Sequence, residues 1–223
     1  MIGFGAATVA RGRRACLFAG GVVACLCASP AFAGGTPAGT SVSNTATATY
    51  ERPDGTETTV TSNTVVLKVD EILNVAVASG DPGDVSATPG STNNVLKFTV
   101  TNSGNGSEAF GLIANDQIGG DDFNPAASSI VLDTNGNGAY DAGVDTIYVA
   151  GTNDPVLAAD ASVTVFVLST IPGTAADTQR GGISLSATAK TGSGNPGTVF
   201  AGAGAGGGNA VVGATRATAL TRR

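Results

Sequence analysis

Short runs of alternating apolar and polar residues recur along most of this chain, and turn-forming residues separate them. Threonine alternates with alanine in residues 45–49, and Leu96, Phe98 and Val100 alternate with lysine and threonine. Alternation with a period of two predicts strands with one buried face, and many such strands are typical of a sandwich or barrel. The pattern therefore predicts an all-β protein.

A β-hairpin is predicted near the start of this region. Residues 43–50 precede the turn sequence Arg52-Pro53-Asp54-Gly55-Thr56, and residues 58–61 return. Proline fixes φ, aspartate bonds its own backbone and glycine takes positive φ, so these residues favour a turn. A second Ser-Asn-Thr, at 62–64, opens a further strand. Residues 34–70 are therefore predicted to form a β-hairpin and strand segment.

Residues 71–190 contain about seven further strand-like runs, the number and spacing of an immunoglobulin-like β-sandwich. Val163, Val165 and Val167 line one face of one run, where Phe166 and Leu168 indicate burial on both faces. Residues 191–223 differ in composition, because 201–208 are glycine and alanine only. Such a run has little side chain to bury, so it predicts a linker or disordered tail, with one edge strand at 210–212.

The first 33 residues predict a secretory signal peptide. Three arginines in 11–14 precede an uncharged run over 15–28 and then Ala31-Phe32-Ala33. Signal peptidase reads this order of positive charge, apolar run and A-x-A site, so we expect export and cleavage after Ala33. One alternative is a lipoprotein modified at Cys25, which follows a lipobox-like sequence. The other is a retained anchor helix, against which the shortness of the run argues.

Removal of this leader changes the composition of the chain. All three cysteines lie within it, so residues 34–223 offer neither a disulfide nor a thiolate metal site. Those residues keep all seventeen acidic side chains but eight of the eleven basic ones, a net charge of −9. Phosphate binding needs a basic face, so we expect no nucleic-acid partner. We also expect no transmembrane span after the leader is removed.

One loop sequence predicts a metal site. Oxygen-bearing residues occupy positions 1, 3, 5 and 9 of a calcium-loop pattern, with glycine at position 6. The predicted ligands are Asp133, Asn135, Asn137, the carbonyl of Ala139, Asp141 and Asp145. Val144 stands where such loops carry glutamate, so we expect weak affinity, with a Kd of ~10⁻⁴–10⁻³ M. The alternative interpretation is an Asn-Gly-rich turn between two strands.

Catalysis is not predicted. The chain contains no histidine or tryptophan, which removes Ser-His-Asp and Cys-His arrangements and imidazole zinc sites. A paired-carboxylate glycosidase needs only acidic residues. Its candidates are Glu51, Glu57, Glu71 and Glu108, all in or near predicted turns. Glycan binding would need exposed aromatic platforms, for which the chain offers only Tyr50, Tyr140 and Tyr148.

Several short motifs together resemble a known family. They are residues 38–40 (Ala-Gly-Thr), 43–50, 61–65 (Thr-Ser-Asn-Thr-Val), 88–90 (Thr-Pro-Gly), 98–106 and 132–138 (Leu-Asp-Thr-Asn-Gly-Asn-Gly). In this order they resemble exported bacterial surface proteins with the "conserved repeat" domain, domain of unknown function eleven. The resemblance implies an immunoglobulin-like sandwich, often in tandem, without known catalysis. Members usually continue into further β modules, so we expect a short or truncated member.

These features predict an exported, non-catalytic structural or interaction module of the bacterial cell envelope or surface, which calcium would stabilise if the 133–145 loop binds it. The localisation would be the periplasm, the cell surface or the medium, and the partner an unknown envelope protein or glycan. The alternative function is a glycan- or cation-binding module of a secreted protein.

Overall fold

The computed structural model describes residues 35–216 and the backbone of residues 218–222. In this part of the chain the regular structure consists of β-strands and one short 3-10 turn, Ala205–Gly207, without an α-helix. The prediction of an all-β protein is therefore confirmed. The predicted signal peptide, the Cys25 alternative and the cleavage site lie outside the described residues.

The strands follow one another in short steps along the chain. They are β1 (Ser41–Asn44), β2 (Thr47–Glu51), β3 (Glu57–Thr61), β4 (Val65–Lys68), β5 (Glu71–Leu73), β6 (Val75–Ser79), β7 (Asn94–Asn102), β8 (Glu108–Asn115), β9 (Ala126–Leu132), β10 (Thr146–Ile147), β11 (Val156–Leu157), β12 (Ser162–Thr170), β13 (Ser184–Ala189), β14 (Val199–Phe200), β15 (Ala210–Val212) and β16 (Thr218–Arg222).

Two antiparallel sheets enclose the main core. One has the strand order β10-β9-β12-β7-β6, and the other has the order β11-β8-β13-β16. Phe98 and Val165 of the first sheet and Phe110 and Leu185 of the second are fully buried and belong to one apolar cluster. Apolar side chains at every second position place one face of each sheet inward. The arrangement is compatible with a β-sandwich.

The first sheet is covered on its outer face as well. Along β12, Val165 and Val167 point into the main core, whereas Phe166 and Leu168 belong to a second buried cluster with Val131. The prediction that Phe166 and Leu168 indicate burial on both faces is confirmed. A segment outside the sandwich must therefore cover this outer face.

The glycine- and alanine-rich region differs from the expected linker or disordered tail. β14 and β15 form a three-stranded sheet with β5, in which β15 runs parallel to β5. Ala210 and Val212 are almost completely buried in the main core. A Cβ on Gly206, which has a φ of +64°, would lie 2.9 Å from the Cα of Gly39. Glycine thus permits a close backbone approach here.

The N-terminal strands form a two-stranded ribbon, defined here as residues 41–68. β1 pairs with β4 and β2 pairs with β3, all antiparallel. The two Ser-Asn-Thr copies meet where the pairing is interrupted, and the hydroxyls of Thr45 and Thr64 are 2.8 Å apart. Every ribbon residue except Thr58 is exposed. The predicted hairpin is therefore present, and almost none of its surface is covered by the sandwich.

Candidate functional site

The predicted calcium loop connects β9 to β10, at one edge of the five-stranded sheet. It is held to the outer face of that sheet by two side chains. The ring of Tyr140 packs edge-on against Phe166, with 6.0 Å between ring centroids. The ammonium of Lys97 donates a 3.1 Å hydrogen bond to the carbonyl of Gly138. This loop therefore covers the second apolar cluster.

Asp133 organises the first half of the loop. Its two carboxylate oxygens accept hydrogen bonds from the backbone N–H groups of Gly136 at 2.7 Å and Gly138 at 2.8 Å. Both glycines have positive φ, 69° and 74°, which other residues adopt at a steric cost. The positive φ angles of the two glycines and the hydrogen bonds that the Asp133 carboxylate accepts therefore both stabilise a tight turn.

Asp141 organises the second half of the loop. One of its oxygens accepts hydrogen bonds from the side-chain amides of Asn135 at 2.9 Å and Asn137 at 2.6 Å. These two bonds lower the pKa of the Asp141 carboxyl, because they favour its ionised form. The buried carboxylate of Asp145 accepts from the backbone N–H groups of Thr134 and Asp141. It thus ties the end of the loop to its start.

The structure brings together five of the six predicted ligands. The carboxylates and amides of Asp133, Asn135, Asn137, Asp141 and Asp145 share one hydrogen-bonded loop, in which their oxygens accept N–H donors. No cluster of three acidic, histidine or cysteine side chains suited to a metal occurs among residues 35–216. The oxygens of these side chains are thus engaged in hydrogen bonds within the loop, and calcium binding stays a prediction.

The ribbon offers a different kind of surface. In its distal hairpin, Ala48 lies opposite Val60 and Tyr50 opposite Thr58, all on one face. Threonines 47, 49, 59 and 61 occupy the other face. Nearer the sandwich, Val42 lies opposite Leu67, which is 66% exposed. The distal hairpin therefore has an apolar face and a hydroxyl-rich face, and among the described residues neither outer edge of the ribbon pairs with another strand.

A cavity of about 680 Å³ lies at one end of the sandwich. Its walls include Leu96, Phe123 and Ile171, and an exposed ion pair joins Asp84 and Arg180 at 3.1 Å beside it. The volume lies in the range of small-molecule sites. None of the glutamates considered as glycosidase candidates lines this cavity.

Two buried polar side chains and one tyrosine–aspartate pair stabilise turns, a role that the sequence did not predict for them. Asn102 donates to the carbonyls of Gly106 and Leu157, both at 2.8 Å, and accepts from the N–H of Gly104. Glu108 accepts from the N–H groups of Lys190 and Thr191 at 2.9 and 3.0 Å. The turn-forming residues that follow Asn102 could have predicted its role, whereas no local pattern predicts the role of Glu108.

The third of these groups is a tyrosine–aspartate pair. The hydroxyl of Tyr148 donates to Asp154 at 2.7 Å and accepts from the N–H of Leu112 at 3.0 Å. Burial raises the pKa of the Tyr148 phenol, and hydrogen bonds from Gly151 and Tyr148 lower that of Asp154. Asp154 also pairs with Lys190 at 3.3 Å. Tyr148 is thus a core residue and Tyr140 packs on Phe166, which leaves Tyr50 as the exposed ring of the three.

Glu71 is buried, but hydrogen bonds replace only part of the hydration that its carboxylate loses. One carboxylate oxygen accepts from the N–H of Ala205 at 2.8 Å, and the other has no hydrogen-bond partner among the described residues. A Cβ on Gly106 would lie 2.5 Å from that second oxygen. Loss of hydration on burial raises the pKa of Glu71, and the nearby Glu108 carboxylate adds to the effect.

Comparison with protein-family models, curated proteins and solved structures found no match to this chain. The resemblance to the "conserved repeat" family therefore stays a prediction. Among the described residues there is also no helix with the length and apolarity needed to cross a membrane.

Proposed function

We propose that this chain is an exported, non-catalytic structural and interaction module of the bacterial cell envelope or surface. The observation that carries the proposal is the N-terminal ribbon, which extends exposed apolar side chains and free strand edges from a folded body. Isolated two-stranded ribbons are marginally stable in water. A ribbon of this kind therefore gains stability when a partner covers it, and sheet edges are ready templates for pairing.

We further propose that the body is an immunoglobulin-like sandwich. Such domains place strands A, B, E and D in one sheet and C, F and G in the other. The sequence of pairings β6-β7-β12-β9 and β8-β13-β16 supports this assignment, with β6 as strand A and β16 as strand G. A rigid sandwich of this kind would act by positioning the ribbon, not by chemistry.

Export is supported by the leader-like first 33 residues, and the composition that remains is compatible with it. Residues 34–223 contain no cysteine, so the fold needs no particular redox compartment. The net charge of −9 that these residues carry favours solubility. The partner would be an envelope protein or glycan that accepts an extended β-structure.

The proposal is tested by fractionation of cells that produce the full chain. We expect the protein outside the cytoplasm, beginning at Gly34 and sedimenting with the envelope fraction. The double variant Val42→Thr/Leu67→Thr removes apolar surface from the ribbon base while it keeps β-branched or polar side chains suited to a strand. We expect it to be exported normally but to be retained by the envelope several-fold less.

Val156→Thr is the matched control, because Val156 is 69% exposed on β11, outside the ribbon. Its retention should equal that of the unmodified chain. Retention that is lost equally in both variants, or in neither, would argue against the ribbon as the interaction surface. Cytoplasmic accumulation of the full-length chain would argue against export.

A second candidate function, cation binding, is favoured by one observation, the convergence of five oxygen-bearing side chains in the 133–145 loop. We propose that calcium stiffens this loop with weak affinity. Asn135 and Asn137 now direct their amide N–H groups at Asp141. A cation would replace those donors, because calcium takes six to eight oxygen ligands.

A further inference from the structure

Charge is distributed unevenly between the ribbon and the rest of the chain. Residues 41–68 contain three acidic and two basic side chains, a net charge of −1. Residues 69–223 contain fourteen acidic and six basic ones, a net charge of −8. Two copies that approach through their sandwiches therefore repel each other, whereas two ribbons approach with little repulsion.

Charge is also uneven along the ribbon itself. Glu51, Asp54 and Glu57 lie at or beside its tip with Arg52, and Lys68 lies at its base. The strand residues between them, 41–50 and 58–67, carry no charged side chain. Natural edge strands usually avoid pairing by means of charged residues, prolines or bulges. The shaft lacks charge and proline, and its pairing has one irregularity, between residues 44–47 and 61–65, so its faces and edges on either side of that point are open to another β-structure.

We propose that the ribbon also pairs with the ribbon of a second copy of this chain. The two ribbons pack antiparallel, each with the face of Ala48, Tyr50 and Val60 against the same face of the other. This inference rests on the proposed function and adds a second copy of the chain to the partners of the same ribbon. Contact of one patch with itself gives a closed two-fold dimer, and it covers apolar side chains that the sandwich leaves exposed.

Two physical arguments favour the antiparallel arrangement. The acidic tip of each ribbon then lies along the uncharged part of the other copy's shaft, toward the end that carries Lys68, whereas a parallel arrangement would bring the two acidic tips together. A shaft of ten residues at about 3.3 Å per residue is about 33 Å long. The two acidic sandwiches therefore lie at opposite ends, several times farther apart than the screening length of about 8 Å at physiological salt.

Sedimentation velocity on residues 34–223 over a range of concentrations tests the dimer. We expect a monomer–dimer equilibrium that Val60→Lys weakens about tenfold or more, because the charge would be buried without a partner. Thr61→Lys is the matched control, since the next residue along β3 points to the opposite face. It should leave the dimer dissociation constant within about twofold. Equal weakening by both variants would overturn the assigned face.

Cross-linking tests the orientation. Because residues 34–223 contain no cysteine, Ala48→Cys introduces a unique thiol within the proposed contact face, close to the two-fold axis, and Asp54→Cys introduces one at the tip. Under mild oxidation we expect disulfide-linked dimers of Ala48→Cys and monomers of Asp54→Cys. Dimers linked through Asp54→Cys would overturn the antiparallel arrangement.

The two levels of the proposal fail in different ways. A chain that stays monomeric up to high concentration but sediments with the envelope through its ribbon overturns the self-association and leaves the proposed function standing. A chain that dimerises through the ribbon but shows no export or envelope retention overturns the proposed function and leaves the self-association standing.

Discussion

At the scale of single residues, the buried carboxylates decide where ionisation affects stability. Glu108 is compensated by backbone N–H donors, whereas Glu71 has one compensated and one unpartnered oxygen. An unpaired buried oxygen costs free energy in proportion to its lost hydration. Glu71 is therefore the residue at which a small change should increase stability.

Glu71→Gln should stabilise the protein at neutral pH. The raised pKa means that the folded state binds the Glu71 proton more tightly than the unfolded state, where we take the ordinary value of 4.5. Stability from this group is thus present below about that pH and is lost as pH rises through the folded-state pKa. Gln keeps an acceptor for Ala205 and carries no charge. We expect its Tm to exceed that of the unmodified chain at pH 7 but not at pH 4.

Glu57→Gln is the control, because Glu57 is exposed at the ribbon tip. Its Tm should follow that of the unmodified chain across the same range. The difference in Tm between Glu71→Gln and the unmodified chain should be larger at pH 7 than at pH 4. A difference that is smaller at pH 7 would contradict the claim that ionisation of Glu71 destabilises the folded state.

Some residue roles were predictable from sequence and others were not. Tyr148 alternates with its neighbours as a core residue does, and it is buried. Glu71 and Glu108 gave no such signal, because each is paired with backbone that is distant in sequence, at Ala205 and Lys190. Contacts of that kind depend on the fold and leave no local pattern.

At the scale of elements, the 133–145 loop presents two alternatives with different responses to calcium. A ligand at about 100 times its Kd stabilises the folded state by about 2.7 kcal/mol, which for a domain of this size is a Tm rise of several degrees. If the loop binds calcium, about 10 mM calcium relative to chelator should produce such a rise.

Asp133→Ala should abolish that rise, since Asp133 occupies the first ligand position. It should also lower the Tm in chelator, because the N–H groups of Gly136 and Gly138 lose their acceptor. Asp177→Ala, which removes an exposed acid elsewhere, should keep the full calcium response. No response in the unmodified chain, or one that survives in Asp133→Ala, would mean that the loop is only a turn.

The elements also show where composition misleads. Alternation located the strands around Phe98 and Val165 well, because one-sided burial imposes a period of two. The glycine- and alanine-rich run was expected to stay unpacked, since its side chains bury little area. It packs because β15 pairs through its backbone with β5, and because Gly206 permits contact with Gly39. Backbone pairing between distant segments is invisible in composition.

At the scale of the whole molecule, an acidic body carries a nearly neutral ribbon. The body buries most of its large apolar side chains between two sheets, although some, such as Ile113 and Val156, are exposed, whereas the ribbon leaves all of its own exposed, among them Val42, Tyr50 and Leu67. Exposed apolar surface of this extent is typical of an interaction site. This contrast, more than any single residue, supports a module that presents a surface.

Amide hydrogen exchange on residues 34–223, with and without envelope fraction, tests this account most directly. At concentrations where the chain is monomeric, we expect residues 41–68 to exchange much faster than the buried strands β7 and β12, because exposed ribbon hydrogen bonds open locally. Added envelope should slow exchange in the ribbon and leave the body unchanged. Slowing confined to the sandwich, with the ribbon unaffected, would contradict the claim that the ribbon is the interaction surface.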